Sequence, residues 1–140
     1  MSQVTLITLA VADVAKATAF YERLGFDKSG ASQKDVTFFR AGPVVLAIWG
    51  RDAQLEDAAA REVWTGNGGV VLARNVASER AVDDFMAQAE AAGAKILKAA
   101  ARTSWGGYNG YFHDPDGHVW EVAFNPFWPV AEDGRITLPE

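Results

Sequence analysis

Residues 107–122, GYNGYFHDPDGHVWEV, have the pattern of two β-strands joined by a tight turn. Within the DPDG segment, Pro115 presets φ at the second position of a type I turn, and Gly117 accepts the positive φ that the fourth position requires. A three-residue loop with a glycine bulge is the hairpin that such a turn favours. The segment therefore predicts a β-hairpin with its turn at residues 114–117.

The register of this hairpin assigns each side chain to a face of the sheet. A turn at DPDG sets Tyr111 opposite Glu121 and Phe112 opposite Trp120, and directly opposed residues share a face. One face is predicted to hold Asn109, Tyr111, His113, Val119, Glu121 and Ala123. The other face is predicted to hold Phe112, Trp120 and Val122.

Both histidines of the chain, His113 and His118, lie in this segment near Glu121. A reduced metal site of His113 and Glu121 is one interpretation. We favour a second one, in which His113 hydrogen-bonds beside the turn, because two ligands from one hairpin rarely hold a metal without help. His118 is expected to face outward or to cap the bulge.

Glu121 lies between two large apolar residues in a strand that is expected to be central. An unpaired carboxylate is costly to bury in such a place. We therefore expect either a wet cavity or a partner for the carboxylate, which is a cation, His113, or the hydroxyl of Tyr108 or Tyr111.

The segments around the hairpin indicate an internal repeat. A strand, a helix and three strands are predicted twice, first at residues 5–11, 14–24, 27–31, 36–40 and 44–49, and then at 70–76, 81–92, 95–99, 108–113 and 119–124. Asp13 and Ser78 precede the two helices as N-caps, and Gly25 and Gly93 follow them.

The repeat favours one α+β domain made of two tandem βαβββ modules. Nine residues separate Val11 from Phe20, and nine separate Val76 from Phe85. A ferredoxin-like sandwich is the alternative for this order of elements, but the matched spacing favours duplication. The predicted organisation of residues 1–140 is module 1 at about 3–50, a helical connector at about 51–65, module 2 at about 66–126 and a tail at 127–140.

The composition limits the classes of function. The 140 residues carry a net charge of −5 without a cluster of Lys or Arg, so nucleic-acid and membrane-surface partners are not expected. The chain has no cysteine, which excludes thiolate metal sites and thiol nucleophiles. Residues 1–12 are too short to span a membrane and lack the basic start of a signal peptide. A cytoplasmic location is the expectation that follows.

Two segments together resemble a known family. The runs LITLAVADVAKATAFYERLGF at residues 6–26 and GGYNGYFHDPDGHVWEVAFNP at residues 106–126 are similar to the vicinal oxygen chelate superfamily, which includes glyoxalase I, extradiol dioxygenases and bleomycin resistance proteins. The resemblance covers about residues 5–126. It implies a U-shaped mixed sheet, built from the two modules around a ligand cavity, and a homodimer.

The resemblance also implies where a metal would bind. Metal-using members take one ligand from the first and one from the last strand of each module, chosen from His, Glu and Gln. Glu121 matches in module 2, whereas alignment of the turn glycines at positions 42 and 117 puts Leu46 at the corresponding place in module 1. The first strands offer Leu6 and Val71, and a shift of one residue supplies no usual ligand. Aliphatic side chains donate nothing to a metal, so no metal cofactor is expected.

These observations predict a metal-independent small-molecule-binding protein of the bleomycin resistance type, with the ligand in the cavity between the modules. The alternative is a divalent-metal-dependent lyase, isomerase or dioxygenase of the glyoxalase or extradiol dioxygenase type. A third interpretation is a metal-free enzyme with Glu121 as general base and Tyr111 or His113 orienting the substrate. The residues predicted to line the cavity are Leu6, Phe39, Leu46, Val71, Trp105, Asn109, Tyr111, His113 and Glu121.

Overall fold

The computed structural model describes residues 3–58 and 69–140, which form two compact units. The first unit contains residues 3–58 together with Asp116–His118, and the second contains Gly69–Pro115 together with Val119–Glu140. Each unit carries a four-stranded sheet. The predicted α+β class with two tandem βαβββ modules is confirmed.

The first unit follows the predicted order of a strand, a helix and three strands. Its elements are β1 (Leu6–Val11), α1 (Val14–Arg23), β2 (Asp27–Lys28), β3 (Val36–Ala41) and β4 (Val44–Gly50), followed by α2 (Arg51–Asp57). The strand order is β1-β4-β3-β2, with β1 parallel to β4 and the other pairs antiparallel. Helix α2 accounts for the first part of the predicted connector, and residues 59–68 lie outside the described residues.

Strand β2 is shorter than the run predicted at residues 27–31. The hydroxyl of Ser29 accepts a hydrogen bond from the N–H of Ala31 at 3.1 Å, and the carbonyl of Ser29 accepts one from the N–H of Ser32 at 3.1 Å. The N–H of Ser29 still donates to the carbonyl of Phe38 in β3 at 2.8 Å, and the chain turns away from the sheet after this residue because the following backbone groups are satisfied locally.

Helix α1 begins and ends where the sequence indicates. The carboxylate of Asp13 accepts a hydrogen bond from the N–H of Lys16 at 3.0 Å and caps the first turn. Gly25 follows the last turn with a φ of 92°, a value that glycine adopts without strain.

Helix α1 covers one face of the first sheet. The ring centres of Tyr21 in the helix and Phe39 in β3 are 6.1 Å apart. The hydroxyls of Thr18 and Thr37 share a buried hydrogen bond of 2.7 Å between the same two elements. The side of β3 that carries Thr37 and Phe39 therefore belongs to the core of this unit.

The second unit repeats the pattern. Its elements are β5 (Val71–Asn75), α3 (Glu79–Ala92), β6 (Lys95–Arg102), β7 (Tyr108–His113) and β8 (Val119–Phe124). The strand order is β5-β8-β7-β6, with β5 parallel to β8 and the other pairs antiparallel. Strands β7 and β8 have the predicted bounds, whereas β6 is longer than predicted and shifts register on both sides of Lys98.

Helix α3 covers one face of the second sheet. The hydroxyl of Ser78 accepts a hydrogen bond from the N–H of Ala81 at 3.0 Å, and Gly93 ends the helix with a φ of 112°. The ring centres of Phe85 in α3 and Phe112 in β7 are 6.2 Å apart. Apolar burial between helix and sheet thus holds this unit together in the same way as the first.

The β7–β8 hairpin has the predicted register, since Tyr111 pairs with Glu121 and Phe112 pairs with Trp120. Its loop differs from the prediction, because residues 114–118 lie between the last paired residues, His113 and Val119. The loop therefore has five residues rather than three.

The turn residues 116–118 belong to the first unit by their contacts. A carboxylate oxygen of Asp116 accepts a hydrogen bond from the N–H of Ala12 at 2.9 Å. Nε2 of His118 donates to the carbonyl of Ala10 at 2.8 Å, so the expectation that His118 faces outward or caps the bulge is wrong. Asp116 and His118 thus form hydrogen bonds with the first unit, and both lie among the residues that are unpaired in the β7–β8 ladder.

Within the described ranges, no helix is both long and apolar enough to cross a membrane. The tail after β8 contains an isolated antiparallel bridge between Val130 and Ile136.

Candidate functional site

The two faces of the second sheet have different surroundings. Gly110 and Phe112 of β7 face α3, where a Cβ built on Gly110 would lie 2.7 Å from the Met86 methyl. Side chains alternate along a strand, so Asn109, Tyr111 and their cross-strand partners lie on the opposite face. We call this the helix-free face, and it carries Val71, Ala73, Lys98, Asn109, Tyr111, His113, Val119, Glu121 and Ala123.

The Glu121 carboxylate is half-buried on the helix-free face and has partners from its own hairpin. The side-chain amide of Asn109 donates to Oε2 of Glu121 at 2.8 Å. The hydroxyl of Tyr111, directly opposite in the ladder, also hydrogen-bonds to Glu121. The prediction that a tyrosine hydroxyl pairs with the carboxylate is confirmed for Tyr111, whereas the hydroxyl of Tyr108 donates to Asp83 instead, at 2.7 Å.

Tyr111 is held in its protonated form by these surroundings. Burial raises the pKa of the Tyr111 hydroxyl above the ordinary value of 10.0, and the negative charge and the hydrogen bond of Glu121 raise it further. The phenol is therefore neutral at physiological pH and donates its proton to the carboxylate, while its oxygen keeps lone pairs for another donor.

Lys98 completes a chain of polar groups that the sequence did not reveal. Its ammonium group donates to Oδ1 of Asn109 at 2.6 Å and to the main-chain carbonyl of Asn109 at 3.3 Å. Asn109 is 5% exposed and bridges the two charged groups, with its oxygen on Lys98 and its nitrogen on Glu121. These bonds fix the orientation of the amide.

His113 also lies on the helix-free face, diagonally across the ladder from Glu121. Its Nδ1 donates to the carbonyl of Asp114 at 2.7 Å, since a carbonyl only accepts. The expectation that His113 hydrogen-bonds beside the turn is confirmed.

Trp105 stands in the β6–β7 connection and is 45% exposed. A Cβ built on Gly107 would lie 1.9 Å from the indole ring, so the ring occupies the space that a side chain at that position would need. Gly107 precedes Asn109 by two residues, which places both on the same side of the chain. The indole therefore flanks the helix-free face near Asn109.

The residues predicted from the first module separate into two groups. Phe39 and Leu46 are paired in the ladder, face α1 and are 1% and 2% exposed, so they belong to the core of the first unit. Leu6 is 46% exposed and alternates to the other side of its sheet. Val71, in the second unit, is 49% exposed on the helix-free face.

The assignment of Leu46 as the counterpart of Glu121 is wrong by one residue. Val44 and Val119 each follow the turn glycine by two residues and begin the paired part of their strands, but Val44 lies on the side of β4 that faces α1, whereas Val119 lies on the helix-free face. Alignment on the turn glycines therefore equates residues of opposite faces, whereas the parallel pairs Leu6–Val45 and Val71–Val119 equate positions one residue further along β4. Ala47, on the side of β4 away from α1, takes the place that Glu121 takes in β8.

Comparison with known proteins decides the family. The sequence model of the Glyoxalase/Bleomycin resistance protein/Dioxygenase superfamily matches residues 3–122. The chain belongs to this superfamily. No match was found among curated proteins.

Solved structures of the superfamily agree with the fold. A glyoxalase-related enzyme from Fulvimarina pelagi is 36% identical, with a TM-score of 0.91 over 100% of both chains. A glyoxalase/bleomycin resistance protein/dioxygenase family enzyme from Burkholderia phytofirmans PsJN is 21% identical, with a TM-score of 0.76 over 88% of this chain and 98% of the other. A lactoylglutathione lyase from Agrobacterium tumefaciens is 23% identical, with a TM-score of 0.71 over 91% of this chain and 97% of the other.

A divalent metal does not fit the donors that this member of the superfamily offers. Opposite Glu121 in β5 is Ala73, and the position in β4 of the first unit that corresponds to Glu121 is Ala47, so neither position carries a donor atom in its side chain. Across residues 3–58 and 69–140, no three side chains of His, Cys, Asp or Glu come together as a metal site would require. The Glu121 carboxylate is instead held by Asn109 and Tyr111.

Proposed function

We propose that the chain binds a small organic molecule on the helix-free face and that it does so without a divalent metal ion. The observation that carries the proposal is the hydrogen bond from the Asn109 amide to Glu121. This bond orients the half-buried carboxylate, which is the role that a metal ion would otherwise have. A few placed polar groups beside apolar and aromatic surface are typical of small-molecule sites. Here the polar groups are Lys98, Asn109, Tyr111 and Glu121, and Trp105 supplies the aromatic surface.

Membership of the superfamily supports this proposal. The superfamily name covers bleomycin resistance proteins as well as glyoxalases and dioxygenases, so a binding role is among those that membership allows. Because Ala73 and Ala47 stand where further metal ligands would be needed, the side chains favour a binding protein over a metal-dependent lyase, isomerase or dioxygenase.

A metal-free enzyme is the second candidate. Asn109 and Tyr111 orient the carboxylate of Glu121, as a general base must be oriented. The similarity to a glyoxalase-related enzyme at 36% identity adds to this candidate. A pH–rate profile that Glu121→Gln leaves unchanged would exclude it once a substrate is known.

Native mass spectrometry and elemental analysis test the lead proposal. Protein purified from its own host is expected to retain a small molecule and to contain Mn, Fe, Co, Ni and Zn below stoichiometric amounts. Glu121→Ala should release the small molecule, whereas Glu132→Ala, at an exposed carboxylate of the tail, should retain it. Stoichiometric metal that is lost on Glu121→Ala, or retention of the molecule by that variant, would contradict the proposal.

We also propose that the working assembly is a homodimer in the cytoplasm. Several large apolar side chains of the single chain are exposed, among them Val4, Val70 and Phe127, at 67%, 65% and 66%. Burial of such surface favours association. Light scattering should give about twice the chain mass of 15.1 kDa, and the mass of one chain at micromolar concentration would contradict the dimer.

A further inference from the structure

We propose that the ligand of the helix-free face is a small, flat organic acid and that Lys98 selects it by binding its carboxylate or other oxyanion. The proposal rests on the small-molecule-binding function above, because it names the class of ligand for the same site.

A β-bulge brings Lys98 to this face. Ile96 pairs with Phe112, which faces α3, and simple alternation would turn Lys98 to that side as well. The register shifts between Ile96 and Lys98, so that Lys98 pairs with Tyr111 on the helix-free face. Bulges of this kind often re-aim a side chain at a functional site. The bulge thus places the Lys98 ammonium group on the helix-free face, whereas regular pairing would place it on the side of α3.

The ammonium group of Lys98 keeps a donor for a ligand. Lysine has three N–H donors, and two hydrogen bonds are directed at Asn109. Among the residues that the structure describes, Lys98 forms no ion pair with an acidic side chain. Its positive charge is therefore not neutralised by a carboxylate, and its third N–H is available to an anion.

The neutral amide of Asn109 keeps the two charges of the site apart. Lys98 bonds to the amide oxygen and Glu121 to the amide nitrogen, so the cation and the carboxylate do not compensate each other directly. A ligand with an oxyanion at one end and a hydroxyl or amine donor at the other would meet Lys98 with the first and Glu121 or the Tyr111 oxygen with the second. Such complementarity favours an organic acid over a neutral or cationic molecule.

The exposed indole ring of Trp105 is the reason that we expect a flat ligand. Its indole lies against Gly107, two residues before Asn109, and nearly half of the side chain is exposed. A planar ligand that contacts Lys98 can therefore stack on the indole.

Matched pairs of acids and amides test the proposal. The probes are benzoate and benzamide, 2-naphthoate and 2-naphthamide, and indole-3-acetate and indole-3-acetamide, each titrated into the ¹⁵N-labelled protein and followed by NMR. We expect the acids to shift the amide signals of Lys98, Asn109 and Glu121 and to bind about fivefold or more tightly than their amides. Equal affinity of acid and amide, or no binding of any acid at these residues, would overturn the proposal.

Lysine variants identify the residue responsible. Lys98→Met should abolish the preference for acids and Lys98→Arg should keep it, with a native NMR spectrum in both. Lys34→Met, at an exposed lysine of the first unit, is the control and should keep the preference. An equal loss in Lys34→Met, or a preserved preference in a folded Lys98→Met, would show that Lys98 does not select the ligand.

The two proposals fail in different ways. A neutral or cationic molecule retained from the host would overturn the selection of acids and leave the binding function in place. Stoichiometric metal that depends on Glu121 would overturn the metal-free binding function, whatever the probes show.

Discussion

Asn109 and Glu121 lie on adjacent strands of one hairpin, and the Asn109 side chain reaches diagonally across the ladder to donate to the carboxylate at 2.8 Å. Their direct cross-strand partners are Ala123 and Tyr111. Because Asn109 is almost completely buried, its amide has little solvent with which to exchange this bond. The carboxylate is thus oriented before any ligand arrives, which is the condition for selective binding.

Asn109→Ala should lower the free energy of unfolding by about 1–3 kcal/mol, because it removes a buried amide that hydrogen-bonds to both Lys98 and Glu121. Urea denaturation followed by circular dichroism measures the change. Asn125→Ala is the control, since that side chain accepts an exposed bond from the N–H of Phe127 at 3.0 Å. A loss in Asn109→Ala no larger than in the control would contradict the bridging role.

The pKa of Tyr111 should respond to Glu121. Burial, the charge of Glu121 and its hydrogen bond all raise this pKa above 10.0. Because the folded pKa lies above the unfolded one, the stabilisation is fully present below pH 10 and is lost as the pH rises through the folded value. Glu121→Gln should lower the pKa of Tyr111 without returning it to 10.0, since burial remains.

Absorbance at 295 nm across alkaline pH measures this ionisation, with Tyr111→Phe to assign the transition. Tyr108 also has a raised pKa, caused first by its hydrogen bond to Asp83. Its transition serves as an internal reference that Glu121→Gln should leave in place. An unchanged Tyr111 transition in Glu121→Gln would mean that the carboxylate does not act on the phenol.

Gly107→Ala should displace the indole of Trp105. The new Cβ would lie 1.9 Å from the ring and 2.8 Å from the carbonyl of Phe124, so the ring has to move. We expect weaker binding of the aromatic acids and a shift of the Trp105 side-chain NMR signal. Gly30→Ala is the matched control, because a Cβ at Gly30 would meet nothing within 4 Å. Unchanged signals in Gly107→Ala would disprove the packing.

Gly110→Ala should destabilise the contact between α3 and β7 by about 1–3 kcal/mol through overpacking. The new Cβ would lie 2.7 Å from the Met86 methyl and 3.2 Å from the carbonyl of Lys98. Met86→Ala in the Gly110→Ala background should relieve the first clash. A double-mutant cycle on the free energy of unfolding measures the coupling, and additive effects of the two changes would refute it.

Local chemistry made most of the fold predictable. The N-caps Asp13 and Ser78, the glycines that end the helices and the hairpin register were all read from turn and capping residues, and all are confirmed. Strand β2 was overestimated because the hydroxyl of Ser29 competes for backbone groups, which alternation of apolar residues does not register. The five-residue loop was missed because Asp116 and His118 bond to residues more than a hundred positions away.

The site was predictable where strands are regular and was missed where they are not. Asn109, Tyr111 and Glu121 follow from alternation in the hairpin. Lys98 was overlooked because a bulge reverses its direction, and a bulge on an edge strand leaves little trace in sequence. Leu46 was misplaced because the residues that follow the two turn glycines face opposite sides of their sheets, so an alignment on the glycines is one residue out and selects the wrong face.

The hydrogen bonds of Asp116 and His118 to Ala12 and Ala10 pair backbone groups at the end of β1 with side chains from the hairpin turn of the other repeat. A polypeptide that stops before residue 69 would contain all of β1 and α1, yet the carbonyl of Ala10 and the N–H of Ala12 would lose partners that the turn of the other half provides.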